Sequence, residues 1–213
     1  MNLTRSFALV LALGLAPAAF AEQHSTEQTT DQATEQAKAP AVVEMTLGAP
    51  DAAVEIVEYA SFTCSHCAAF HGDQFKKLKA EFIDTGKVHF TYRDVYFDRV
   101  GLWASMLARC ETPRFFGVSD LIYSKQRDWL SGNDPVLLAE NLRKLGKVAG
   151  LSEEKIDACM QDGDKAKALV DWFEANAKAD DIDSTPSLII NGTKYSNMAY
   201  PKLKEIIEKE LGN

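Results

Sequence analysis

A short apolar run, Ala53–Tyr59, follows the turn-forming residues 48–51. Successive side chains of a strand point to opposite faces, so Val54 and Ile56 share one face and Val57 lies on the other. Both faces are largely apolar, which is typical of a central strand covered by helices. The run therefore predicts such a strand, and it predicts that Glu58 within the run is buried.

A helical pattern follows this strand and leads to a second strand. The pattern predicts one helix from Cys64 to about Thr85, which Gly86 ends. Residues 88–92 then alternate between apolar and polar positions as a strand does. Strand, helix and strand in this order indicate a parallel βαβ unit. The expected core side of the helix consists of Phe70, Phe75, Leu78 and Phe82.

The patterns between residues 101 and 181 are helical throughout. Asp134 and Ser152 stand where two of these helices need a capping side chain. Strand patterns resume on both sides of Asn191-Gly192, a strong hairpin signal, and residues 201–211 form a last amphipathic helix. The sequence thus predicts an α/β domain made of residues 42–100 and 182–213, with an inserted all-helical subdomain at 101–181.

The first 21 residues have the three parts of a secretory signal peptide. Arg5 provides the positive start, residues 7–16 the apolar core, and Ala21 the end of a small-x-small cleavage site. We expect cleavage after Ala21; an uncleaved membrane anchor would need about 20 apolar residues, more than this run contains. Residues 22–41 are mostly small and polar, which predicts a flexible tail.

Composition narrows the choice of partners. The 213-residue chain has a formal net charge of −8, and Lys and Arg form no cluster along it. Nucleic-acid binding depends on clustered basic side chains that neutralise phosphates. The sequence therefore predicts no nucleic-acid partner.

Two cysteines stand where the first strand gives way to the helix, in the motif Cys64-Ser65-His66-Cys67. This spacing at such a turn is typical of a redox pair, because the two sulfurs can close into a disulfide or open into a dithiol. The unpaired N–H groups at a helix N-terminus favour the thiolate form of the first cysteine. A thiolate is the species that attacks disulfides.

Half of a zinc site is the competing interpretation of this motif. Structural zinc needs four ligands, and the other two cysteines, Cys110 and Cys159, are distant and isolated. His66 and His71 are the histidines that would have to be recruited. We predict that no metal and no cofactor is bound.

The order of elements and four local motifs resemble the DsbA family of the thioredoxin superfamily, in its secreted DsbA-like branch. The resemblance covers essentially the whole chain after residue 42. It implies a thioredoxin fold with an inserted all-helical subdomain. The motifs are the lead-in at 47–51, Glu58 six residues before Cys64, the segment 62–67, and Ser184-Thr185-Pro186-Ser187 before the hairpin.

The resemblance also implies roles for the residues around the motif. Cys64 would be the exposed nucleophile, and Cys67 would be the buried partner that closes the disulfide or resolves a mixed disulfide. His66 would stabilise the Cys64 thiolate, by charge when protonated and by hydrogen bonding otherwise. Glu58 would be a buried acid that takes part in proton transfer at Cys67. The dipeptide between the cysteines is Ser65-His66 here, whereas the best-known DsbA enzymes have Pro-His, so the difference lies at Ser65.

A second part of the resemblance concerns substrate binding. Pro186 would follow a cis peptide bond, and Thr185 beside it would offer its backbone groups to an extended substrate. Because only about 5% of X-Pro bonds in folded proteins are cis, this prediction depends on the resemblance alone.

Cys110 and Cys159 lie on apolar faces of two different predicted helices, so they can meet inside the helical subdomain. Disulfides persist outside the cytosol, and some DsbA-like relatives are similar in having an extra disulfide in this region. We predict a structural disulfide between these two residues; two buried free thiols are the alternative.

The function that the resemblance implies is that of a periplasmic thiol:disulfide oxidoreductase. It would introduce disulfide bonds into reduced, unfolded or partly folded exported proteins, and a membrane partner such as a DsbB-type quinone reductase would reoxidise it. We expect a monomer, because the polar tail does not resemble a dimerisation region. A disulfide isomerase or reductase of the same fold is the alternative within this chemistry. A copper-binding carrier is an alternative of another class.

Overall fold

A computed structural model describes residues 41–212 of the chain. The predicted signal peptide and all but one residue of the predicted tail lie outside these described residues. The described part contains a five-stranded sheet in the order β1-β3-β2-β4-β5. The strands are β1 (Met45–Leu47), β2 (Val54–Ala60), β3 (Val88–Asp94), β4 (Ser187–Ile190) and β5 (Thr193–Ser196).

The apolar strand β2 lies at the centre of the sheet, as its sequence predicts. It pairs in parallel with β3, which places Glu58 opposite Tyr92. On its other side it pairs antiparallel with β4, and there Leu188 is opposite Glu58. The predicted parallel βαβ unit and the hairpin that turns at Asn191-Gly192 are both confirmed.

The prediction of a single helix from Cys64 to about Thr85 is wrong, because the helix is interrupted at Asp73. Asp73 has φ −128° and ψ −72°, which are not helical values, and the preceding Gly72 has a low helix propensity. The apolar spacing continues on both sides of Asp73, so periodicity alone did not reveal the break. The segment consists of α1 (Ser65–Gly72), α2 (Gln74–Leu78) and a π-helical turn (Lys79–Ile83).

The chain between β3 and β4 is helical, as predicted. The side chains of Asp134 and Ser152 accept hydrogen bonds from backbone N–H groups of the helices that follow them, which confirms both predicted caps. Beyond the hairpin the chain ends in α9 (Tyr200–Glu210). The intervening helices are α3 (Arg99–Ala108), a 3₁₀ turn (Thr112–Arg114), α4 (Phe115–Ser124), α5 (Gln126–Trp129), α6 (Pro135–Val148), α7 (Glu153–Met160) and α8 (Gly163–Ala179).

The main hydrophobic core lies on one face of the sheet. Ile56 of β2 and Tyr92 of β3 belong to it, together with buried residues of α1, α3, α4 and α6. On the opposite face, Val57 and Tyr59 form a smaller cluster with Val95. This division follows the strand alternation, and it leaves Glu58 on the face of the main core. No helix in residues 41–212 is long and apolar enough to cross a membrane.

Candidate active site

The redox motif lies at the turn from β2 into α1. Cys64 is the N-cap of α1, with an extended backbone (φ −82°, ψ 120°), and its carbonyl oxygen accepts the first helical hydrogen bond, from Ala68 N at 3.1 Å. Cys67 lies within the first turn of the helix and is fully buried, whereas Cys64 is half-buried. Both residues are free thiols in the structure.

The two thiols have opposite electrostatic environments. The pKa of Cys64 is lowered to about 5, most of all by a hydrogen bond from the Cys67 thiol and against the opposing effect of partial burial. Thr185 and the backbone N–H groups of Cys67 and His66 also contribute to this lowering. Burial raises the pKa of the Cys67 thiol far above its usual value, and the Cys64 hydrogen bond and the negative charge of Glu58 raise it more. The pair is therefore one thiolate and one thiol at neutral pH.

The segment before β4 reaches the same place from the far end of the chain. The Thr185-Pro186 peptide bond is cis in the structure. The Sγ atom of Cys64 lies 3.6 Å from the carbonyl oxygen of Thr185, within the hydrogen-bonding range of sulfur. The structure thus brings Thr185 and Pro186 beside the half-buried cysteine.

Glu58 lies beneath the motif, and its predicted burial is confirmed, because none of its surface is exposed. Its two carboxylate oxygens are 2.9 Å and 3.2 Å from Nε2 of His71 on α1. The charge of Glu58 also acts on the Cys67 thiol, whose pKa it raises. Glu58, His71 and Cys67 are thus all buried, and Glu58 acts on the other two through a direct contact and through its charge.

His71 is a part of the site that sequence reasoning missed, because it was considered only as a recruitable zinc ligand. The signal was present in the sequence: His71 follows Cys67 by four residues, and this spacing places two side chains on one face of a helix. His71 is 3% exposed and stacks on the ring of Tyr123 at 4.3 Å between ring centres. Among residues 41–212, no group of three or more His, Cys, Asp and Glu side chains is arranged to hold a metal ion.

Ser65 and His66, the two residues between the cysteines, have exposed side chains. The contact that His66 makes with Cys64 is through its backbone N–H, which lowers the pKa of Cys64. The role predicted for the His66 imidazole stays a prediction.

Gln126, the first residue of α5, was also missed, and no local pattern in the sequence points to it. Its side-chain amide donates to two carbonyl oxygens of the β2–α1 turn, Phe62 O at 2.8 Å and Cys64 O at 2.9 Å. Gln126 is 6% exposed. A residue of the helical region therefore holds the backbone on which Cys64 stands.

The other two cysteines lie away from this site. The structure joins Cys110, which follows α3, to Cys159 of α7 in a disulfide, with 5.5 Å between the Cα atoms. The role of this bond as a structural staple stays a prediction.

The fold and the cysteine pair at its β2–α1 turn define a class of protein, the thioredoxin-fold proteins with a paired-cysteine site. A family model described as thioredoxin matches residues 40–209. The chain belongs to this thioredoxin family, within its DsbA-like group.

Individual relatives support the same assignment. A Rickettsia bellii protein named as a protein-disulfide oxidoreductase is 31% identical over 170 residues, which are 79% of this chain; the chain spans only 64% of that protein's length. Disulfide bond formation protein D of Bacillus subtilis is 30% identical, with 78% of this chain and 76% of that protein covered. The crystal structure of Wolbachia pipientis α-DsbA1 superposes with a TM-score of 0.73 at 26% identity, covering 81% of this chain and 93% of that one.

Proposed function

We propose that the protein is an exported thiol:disulfide oxidoreductase that donates its Cys64–Cys67 disulfide to other proteins. The opposite shifts of the two thiol pKa values carry this proposal. A disulfide is a strong oxidant when the protein stabilises its reduced form, and a Cys64 thiolate with a pKa near 5 is such a stabilised form. The names of the Rickettsia and Bacillus relatives, which refer to disulfide oxidoreduction and disulfide formation, agree with it.

The reaction begins with the oxidised pair. A substrate thiolate attacks Cys64 Sγ, and the Cys64–Cys67 bond breaks. Cys67 leaves as a buried thiolate, which then takes up a proton. A second substrate thiolate then attacks the substrate sulfur of this mixed disulfide and expels the Cys64 thiolate. The substrate gains a disulfide and loses two electrons, which the protein pair accepts. The low pKa of Cys64 makes it a good leaving group in this second step.

The substrates in this proposal are reduced, unfolded or partly folded exported proteins. They would lie in an extended form against the backbone of Thr185 and Pro186, within reach of the half-buried Cys64. The protein would work as a monomer in the periplasm after cleavage behind Ala21. A membrane partner, a DsbB-type quinone reductase, would reoxidise the dithiol.

The equilibrium redox potential of Cys64–Cys67 against glutathione, followed by tryptophan fluorescence, tests this proposal. A thiolate-absorbance titration of Cys64 should accompany it. We expect an oxidising potential and a Cys64 midpoint near pH 5. A strongly reducing potential, near that of thioredoxin, would contradict disulfide donation and would support a reductase or isomerase of the same fold instead.

A further inference from the structure

The carboxylate of Glu58 is fully buried and forms an ion pair with an imidazole. Among the described residues, the ion pair that Glu58 makes is with His71, and no lysine or arginine is paired with it. An isolated buried carboxylate is costly, so this pair shares either a charge or a proton. Imidazole is the side chain whose charge ordinarily changes between pH 5 and 8.

Aromatic side chains surround the imidazole of the pair. The imidazole of His71 lies among aromatic rings: Tyr123 at 4.3 Å, Phe75 at 4.6 Å and Tyr92 at 5.9 Å between ring centres. The hydroxyls of Tyr92 and Tyr123 hydrogen-bond to each other at 2.7 Å. Burial raises the pKa of both tyrosines, so they stay neutral.

The Cys67 thiol is a further titratable group near the pair. Cys67 lies on α1 one turn before His71, and both side chains are buried. The charge of Glu58 acts on the sulfur of Cys67 and on the two tyrosines. Cys67 and His71 therefore lie buried one helical turn apart on α1, His71 contacts Glu58, and the charge of Glu58 reaches the Cys67 sulfur.

We propose that His71 is a positioning residue of the redox reaction, which holds the proton that Glu58 delivers to Cys67 when the disulfide opens. The inference rests on the proposed function, because it concerns a step of disulfide donation. When the substrate thiolate bonds to Cys64 Sγ, the Cys64–Cys67 bond breaks and its electron pair stays on Cys67. The Glu58–His71 pair transfers one proton to this sulfur, and it receives the proton back when the dithiol is reoxidised.

A purely structural role of His71 would have a different consequence for the pH profile of the reaction. If the imidazole only satisfied the buried carboxylate, an amide donor in its place would do the same, and the pH profile of the reaction would not change. If the pair stores a proton, removing the imidazole removes a pH-dependent step. In the oxidised protein both cysteines are held in the disulfide, so neither is a free thiol before the substrate thiolate attacks.

The experiment is rapid mixing of the oxidised protein with dithiothreitol between pH 5 and 8, followed by tryptophan fluorescence. The measured rate constant is divided by the concentration of dithiothreitol thiolate. We expect this normalised constant to be higher at pH 5 than at pH 8 in the wild-type protein, as general acid catalysis by the pair requires. In H71Q it should be about tenfold or more lower at pH 5 and nearly independent of pH, as expected for the loss of general acid catalysis.

His89→Gln is the matched control, since His89 is a histidine of β3 outside this cluster, and we expect it to keep the wild-type profile. His66 is unchanged in every variant, so its contribution cancels in the comparison. E58Q tests the pair from the other side and should give the same flat profile as H71Q. Circular dichroism establishes which variants are folded. If H71Q does not fold, the pH profile of E58Q decides the test by itself.

A wild-type profile in folded H71Q would overturn the role of His71, and a wild-type profile in folded E58Q would overturn the pair as the proton source. A failure of the proposed function is a separate result. In that case the oxidised wild-type protein would not react with the dithiol, or its redox potential would be reducing. The His71 inference fails when the wild-type protein reacts as a donor and the variants share its pH profile.

Discussion

Cys67 is the residue that does most to make Cys64 acidic, because its thiol donates a hydrogen bond to the Cys64 sulfur. Cys67 itself is buried and stays protonated, so it acts as a fixed donor. The helix N-terminus adds the backbone N–H groups of His66 and Cys67. At this scale the chemistry depends on two sulfurs three residues apart that have very different exposure to solvent.

Replacing Cys67 tests the hydrogen bond between the two sulfurs. In C67A the pKa of Cys64 should rise from about 5 toward the ordinary cysteine value of about 8.5, because the largest stabilising contact of the thiolate is lost. C67S keeps an O–H donor and should retain most of the lowering. Thiolate absorbance between pH 3 and 10 measures both variants. Equal midpoints for C67A and C67S would show that the side chain at this position is not the donor that matters.

At the scale of elements, α6 packs against α3 and α7 at Gly146, a residue without a side chain. A Cβ atom at Gly146 would lie 2.8 Å from Ile156 Cδ1 and 2.9 Å from Leu107 Cδ1. These distances are shorter than van der Waals contact, so the buried side chains of Ile156 and Leu107 would have to shift to admit an alanine here. Gly117 in α4 has no neighbouring atom within 4 Å of the same position.

Two glycine-to-alanine variants follow from this difference. G146A should lower the free energy of unfolding by about 1–3 kcal/mol, because overpacking outweighs the gain in helix propensity. G117A should raise it by up to about 1 kcal/mol, since alanine favours the helix and meets nothing. Urea unfolding of the two variants and the wild-type protein is the measurement. A stabilised G146A would mean that α6 does not approach its neighbours this closely.

Contacts between elements also hold the active-site turn, through Gln126 of α5. Replacing Gln126 by leucine leaves two carbonyl oxygens of the turn without this donor, and one buried unsatisfied group costs about 1–3 kcal/mol. We expect Q126L to lose stability within that range. Arg127→Gln, at the exposed neighbouring position, should be neutral. Urea unfolding measures both, and a neutral Q126L would contradict a role for this amide in holding the turn.

At the scale of the whole molecule, the Cys110–Cys159 disulfide ties the end of α3 to α7 across a sequence separation of 49. A cross-link over such a loop restricts the unfolded chain, and the loop-entropy model assigns it roughly 4 kcal/mol as an upper guide. Among the described residues, neither Cys110 nor Cys159 makes a hydrogen bond to Cys64 or Cys67, so we predict that this bond contributes to stability.

The double variant C110A/C159A should therefore lose about 2–4 kcal/mol of unfolding free energy. The redox potential of Cys64–Cys67 should stay at its wild-type value, which separates stability from chemistry. Thiol labelling of the denatured, unreduced wild-type protein checks the bond directly. Reaction of both Cys110 and Cys159 with the label would contradict it.

The resemblance to the DsbA family implied the thioredoxin fold, and the local pattern of the sequence was enough for the parallel βαβ unit, the hairpin and the burial of Glu58. Strand alternation, helix periodicity and turn residues are local properties, and each of these predictions depends on residues close together in the chain. The break at Asp73 was missed because apolar spacing continues across it. Local periodicity reports which face of a segment is apolar, and it does not report every change of backbone angle.

Only the tertiary structure decided which residues surround the two sulfurs. Thr185 is 121 residues from Cys64, and Gln126 is 62 residues from it, so neither contact can be read from spacing. Glu58 and His71 are closer in sequence, but they belong to a strand and a helix whose packing brings the carboxylate to the imidazole. Burial and charge depend on these neighbours, and for that reason the properties of the Cys64–Cys67 pair follow from the fold.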